Sequence, residues 1–97
     1  MATLSEEEVR SALSDLEGWE LAEGDTPAVT REFQLATFRD AVAFVVRLSY
    51  DAEAADHHPD LDVRYNRVKV TLSTHSEGGV TEKDVALAKA IDQLSTG

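Results

Sequence analysis

The pattern that most constrains this chain is a helix start signal used three times, a hydroxyl residue followed three positions later by an acid. Ser5 precedes Glu8, Thr37 precedes Asp40 and Thr81 precedes Asp84. In each case the hydroxyl can accept from a free backbone N–H of the new helix, and the carboxylate favours its positive end. The spacing predicts a short helix through about Leu13, a long one opened by Thr37, and a last one from Thr81 to about Leu94.

Behind two of these signals lies an apolar stripe. Phe38, Ala41, Val42, Val45, Leu48 and Ala52 recur at steps of three and four, and Phe44 widens the stripe. Val85, Ala88, Ile91 and Leu94 repeat the pattern. Both stripes are expected in the core. The first inter-helix segment alternates at Trp19-Glu-Leu21 and again over Val29–Leu35, with Gly24-Asp25-Thr26-Pro27 as the turn. In the second, Leu61, Val63 and Tyr65 share one face, and Val68, Val70 and Leu72 share the next, with Asn66 at the turn. The order is α-β-β-α-β-β-α. Two hairpins and helices that need one covering face predict an α+β fold, a four-stranded antiparallel sheet with the helices packed on one face. The other face carries Lys69, Thr71 and Ser73.

Size and charge narrow the function. A chain of 97 residues is expected to form a single domain over 1–97. It buries only about 60–65% of its unfolded surface, so its core is thin. There are no cysteines, which excludes disulfides, thiolate metal sites and a cysteine nucleophile. Nine Lys and Arg against nineteen Asp and Glu give a net charge of −10, a field that repels phosphate backbones. Direct nucleic-acid binding is therefore not expected. No apolar run is long enough to span a bilayer and MATLSEEEVR has no apolar signal region, so the expectation is a cytoplasmic protein without membrane contact.

The chain holds three histidines, His57, His58 and His75, all within one short window. Pro59 pushes the residue before it out of the helical region, so the long helix should end near Asp56 or His57. Glu53 lies four residues before His57 and would share its face if the helix reaches that far. His75 is read as the end of the strand 67–75. Three roles are open. The histidines can be a cap, an exposed side chain and a strand end. They can hold zinc, although adjacent histidines rarely point at one ion and no His-x₃-His pair is present. Or they can move protons, because imidazole titrates near neutral pH.

The spacing Glu53, His57-His58-Pro59, Tyr65, His75, Asp84 resembles the signature of the pterin-4a-carbinolamine dehydratases. Leu16-Glu-Gly-Trp19, Phe33 to Phe38, Ala41 to Phe44, Val70 to His75 and Gly79 to Asp84 are similar to further segments of that family, so the resemblance covers most of the chain. It implies a hydro-lyase that removes water from a 4a-hydroxytetrahydropterin to give the quinonoid dihydropterin, in tetrahydropterin recycling, with no metal or organic cofactor. His57, His58 and His75 would be the catalytic set, with Glu53, Asp56, Pro59, Ser73, Thr74 and Asp84 binding or supporting. Glu53 and Asp56 beside His57 would hold it protonated, which makes it the first choice for the acid. Asp84 has two readings, a cap at Thr81 or a group positioning His75 or the pterin. Tyr65 and Trp19 are expected to pack. Leu61 and Lys83 depart from the family pattern, and a lysine cannot copy a bidentate arginine contact. The resemblance also implies a homodimer or homotetramer, and a possible protein partner, since some members bind a transcription factor's dimerisation helix. The alternatives are a dimerisation or regulatory module, or a pterin enzyme of another pathway such as molybdopterin metabolism.

Overall fold

All three start signals open helices in the structure, a computed structural model that describes residues 2–22, 24 and 26–96, the last two without their side chains. Asp25 of the expected turn lies outside the described residues. Helix α1 spans Glu6–Leu13, and Ser5 and Glu8 form a reciprocal capping box at its start. Helix α2 spans Phe38–Ala55, where the Thr37 side chain accepts from the Asp40 N–H. Helix α3 spans Glu82–Thr96. The strands are β1 Glu20–Ala22, β2 Ala28–Gln34, β3 Asp60–Arg64 and β4 Arg67–Leu72. They form one antiparallel sheet in the order β1-β2-β4-β3.

The register explains the layering. Val29 pairs with Leu72, Arg31 with Val70 and Phe33 with Val68, so these residues share one face of the sheet. Onto that face pack Val9 of α1, Ala41, Phe44 and Leu48 of α2, and Leu87, Ala88 and Ile91 of α3. Each large apolar side chain removed from water there contributes about 1.5–3 kcal/mol. On the opposite face Glu32, Lys69 and Asp62 stand in register, and Arg67 and Arg64 lie 3.6 Å and 3.2 Å from Glu32 and Asp62. That face is charged and open, as the alternation predicted for Lys69 and Thr71.

Far from the histidines, Trp19 is buried edge-on against Phe33, with ring centroids 6.1 Å apart. Its Nε1–H donates to Asp92 Oδ1 at 2.7 Å, and Arg31 donates to the same oxygen at 2.9 Å. Gly18 sits at φ 93°, a conformation that favours glycine, and a Cβ there would displace the Arg31 side chain, whose Nε would lie 2.8 Å away.

Three expectations need correction. Phe38 and Val42 are not core, being 54% and 42% exposed. They lie with Val46 and Tyr50 on an outward face of α2 at four-residue steps. Tyr65 does not continue the face of Leu61 and Val63, because it sits at φ 51° in the β3–β4 turn and is exposed. The fourth strand stops at Leu72, and His75 begins a 3₁₀ turn, His75–Glu77, closed by Gly78 at φ 76°.

Candidate active site

Helix α2 ends as the proline predicts, but by a specific device. Asp56 takes a left-handed conformation, φ 50° and ψ 45°, and the His57 N–H turns back to Ala52 O at 3.0 Å. The chain therefore leaves the helix axis at Asp56, ahead of both histidines. His57 turns inward and is 9% exposed, while His58 stays outside.

His57 meets Asp84 there. Its Nε2 lies 2.5 Å from Asp84 Oδ1, and Asp84 is fully buried. The other carboxylate oxygen accepts from the Thr74 hydroxyl at 2.8 Å and from the Thr81 N–H at 2.9 Å. Because the Thr74 proton is committed to Asp84, the Thr81 hydroxyl, 2.8 Å away, donates to Thr74 Oγ1. Asp84 Oδ2 accepts the hydrogens of the Thr74 hydroxyl and the Thr81 N–H, and with Asp84 as the carboxylate its Oδ1 takes the hydrogen of His57 Nε2. That fixes the tautomer of the neutral ring and leaves Nδ1 as the nitrogen able to exchange a proton.

The two readings of Asp84 thus combine. Its carboxylate caps the start of α3 through the Thr81 N–H, and it holds a histidine. That histidine is His57 and not His75. Glu53 also has a different partner from the expected one. Its Oε1 lies 3.6 Å from His58 Nε2, and both side chains are exposed. His75 Nε2 lies 4.0 Å from Asp60 Oδ2, again at the surface.

One open cleft of about 460 Å³ is lined by Asp56, His57, His58, Ser73, Thr74, His75, Ser76 and Lys83. It draws on the end of α2, the end of β4, the 3₁₀ turn and the first turn of α3. All three histidines face it. Ser73 and Thr74 are held from behind, Ser73 by donating to Pro27 O at 2.9 Å and Thr74 by Asp84. Glu53 and Pro59 stand outside the lining and Asp84 stands behind it. Ser76 and Lys83 were not among the sequence candidates, although Lys83 had been noted as a departure at this position. Trp19 is not part of this lining. Among the described residues, no three His, Asp or Glu side chains converge as a metal-holding group, and no helix is long and apolar enough to cross a membrane.

The profile of the family described as "Pterin 4 alpha carbinolamine dehydratase" matches residues 2–94. A protein of Chloroflexus aggregans, provisionally named a pterin-4-alpha-carbinolamine dehydratase, is 50% identical over 94 residues, which cover 97% of this chain and 98% of its own. Among solved structures, the transcriptional coactivator/pterin dehydratase from Brucella melitensis superposes with a TM-score of 0.90 at 42% identity, covering 96% of this chain and 98% of that one. A pterin dehydratase-like RuBisCO assembly factor of the alpha-carboxysome shares the fold alone, with a TM-score of 0.69 at 22% identity over 82% of this chain and 92% of that one. The likeness runs through sequence and fold together along nearly the whole length. The chain belongs to the pterin-4-alpha-carbinolamine dehydratase family.

Proposed function

We propose that this chain removes water from a 4a-hydroxytetrahydropterin, with its histidines as acid and base, in the recycling of a tetrahydropterin oxidised by a hydroxylase. Family membership supports the reaction class. The observation that carries the histidine chemistry is the single cleft onto which His57, His58 and His75 all open, with His57 seated on buried Asp84.

Loss of water breaks the C4a–O bond, takes the proton from N5 and leaves a C4a–N5 double bond. One group must receive the N5 proton and another must give one to the departing hydroxyl. His57 suits the first task, because Asp84 holds its Nε2–H and leaves Nδ1 to accept. This replaces the choice of His57 as acid, which rested on Glu53 and Asp56 as its neighbours. His58 or His75, each exposed at the rim, supplies the second proton and recovers it from solvent. A positioned acid and base together contribute about 10²–10⁴-fold. Ser73 and Thr74 offer backbone groups to the amide-like edge of the pterin.

Self-association in a cytoplasmic setting belongs to the same proposal. Phe38, Val42, Val46 and Tyr50 on α2 and Leu61 and Val63 on edge strand β3 are all exposed, and such a surface favours a second copy or another protein.

The test is to generate the 4a-hydroxypterin in situ with a hydroxylase and follow the quinonoid product. The protein should accelerate its formation above the spontaneous rate, and His57→Ala should remove most of the gain. A wild-type chain that adds nothing would refute the enzyme and favour an interaction module.

A further inference from the structure

We infer that Thr81 is a positioning residue for His57, its hydroxyl diverted from capping α3 to orient Thr74 and, through Asp84, the imidazole. The inference rests on the reading of His57 as the base and adds what sets that ring. Three helices open on the same signal, but their hydroxyls do not all do the same work. Ser5 Oγ accepts from the Glu8 N–H at 3.1 Å and Thr37 Oγ1 from the Asp40 N–H at 3.1 Å, each an ordinary cap three residues on. At the third start the Asp84 N–H bonds the Thr81 carbonyl instead, at 3.1 Å. The Thr81 hydroxyl turns back to Thr74 Oγ1 at 2.8 Å and receives a longer contact of 3.3 Å from the Lys83 N–H. Thr81 is fully buried and stands outside the cleft lining, so any effect it has on a bound ligand passes through its neighbours.

A hydroxyl has one hydrogen to give and can also accept. Thr74 Oγ1 has two polar neighbours at 2.8 Å, Asp84 Oδ2 and Thr81 Oγ1. Were Thr74 to give its hydrogen to Thr81, Asp84 Oδ2 would keep only the Thr81 N–H. The Lys83 N–H fills one side of the Thr81 oxygen, and the Thr81 hydrogen is directed at Thr74. That donation occupies the Thr74 oxygen and polarises its O–H, which strengthens the bond to Asp84. It also keeps the Thr74 hydrogen from turning to solvent in the cleft that Thr74 lines. With Oδ2 held by two donors the carboxylate cannot swing, so Oδ1 stays on His57 Nε2. A carboxylate that swings would let the ring hydrogen move to Nδ1, and Nδ1 would then no longer be free to accept the N5 proton.

The experiment compares Thr81→Val, which keeps the shape and removes the hydroxyl, with Thr81→Ser, which keeps the hydroxyl, in the intact chain. Nitrogen NMR of the imidazoles reads the ring directly. Neutral His57 should carry its hydrogen on Nε2 in the parent and in Thr81→Ser, and share it between both nitrogens in Thr81→Val. In the hydroxylase-coupled assay kcat should fall about three- to tenfold in Thr81→Val, the size of one neutral hydrogen bond, with KM within about twofold, and Thr81→Ser should recover most of the loss. Thr37→Val is the control, since it removes an ordinary cap: it should lower the thermal midpoint and leave the ring signal unchanged. A Thr81→Val chain that keeps the parent's ring signal or the parent's kcat overturns the inference. So does a loss that Thr81→Ser fails to recover, or the same ring change in Thr37→Val. A parent chain without dehydratase activity refutes the reading of His57 as the base, while the ring signals still decide whether Thr81 positions it.

Discussion

The indole of Trp19 and the carboxylate of Asp92 are joined by a 2.7 Å hydrogen bond across 73 residues of chain, and Arg31 donates to the same oxygen. This contact fixes the far end of α3, and the Thr74–Asp84–Thr81 network fixes its start. The helix that carries Lys83 and Asp84 is therefore anchored at both ends.

Asp92→Ala should lower stability by about 1–3 kcal/mol, because it strands the indole N–H and the guanidinium together. Urea unfolding followed by circular dichroism measures it. Dehydratase activity well below the denaturation midpoint should be unchanged, since Asp92 is remote from the cleft.

Asp84→Asn keeps the shape but puts an amide where only acceptors fit. The His57 tautomer is then no longer fixed, and turnover should fall by about 10²-fold or more. KM should change far less. Nitrogen NMR of the imidazoles should place the neutral-ring hydrogen of His57 on Nε2 in the parent and show this preference lost in the variant. Unchanged turnover would remove Asp84 from the mechanism.

Val46→Glu places a charge in the middle of the outward stripe on α2, where Val46 is 52% exposed and contributes nothing to the core. The helical circular dichroism should be retained while the mass in light scattering drops. A mass equal to that of the parent would show that this face is not the contact.

The Glu8 carboxyl is held below its ordinary value by the backbone N–H of Ser5 and then by the Ser5 hydroxyl. A lowered folded-state value means that the stabilisation is fully present above the unfolded value. It is lost as pH falls through the folded one. Carboxyl NMR titration should show Glu8 titrating below the ordinary glutamate value, and Ser5→Ala should move it upward.

Local signals were legible in the sequence, and signals that depend on the fold were not. Ser5, Thr37 and Thr81 announce their helices because a cap involves residues three positions apart. The strands follow from alternation, whereas their order in the sheet, with β2 beside β4, does not. The two apolar faces of α2 are another matter: Phe38 and Val42 satisfy helical periodicity as well as Ala41 and Leu48 do, and only the position of the sheet decides which face is buried. The partner of His57 was hidden for the same reason, since Asp84 lies 27 residues away and arrives only when α3 docks. Glu53 looked like that partner at helical spacing, but the left-handed turn at Asp56 rotates His57 away from it. His75 was read as strand because nothing in Ser73-Thr74-His75 announces where pairing stops. The grouping of His57, His58 and His75 as one set came through the family signature, whereas Ser76 lacks any signal of its own.

The chain contains a single tryptophan, and its indole is bonded to α3. That gives the molecule a built-in optical reporter. Emission from Trp19 should shift when the end of α3 lifts, so undocking of the helix that carries Lys83 and Asp84 can be timed in solution without any label.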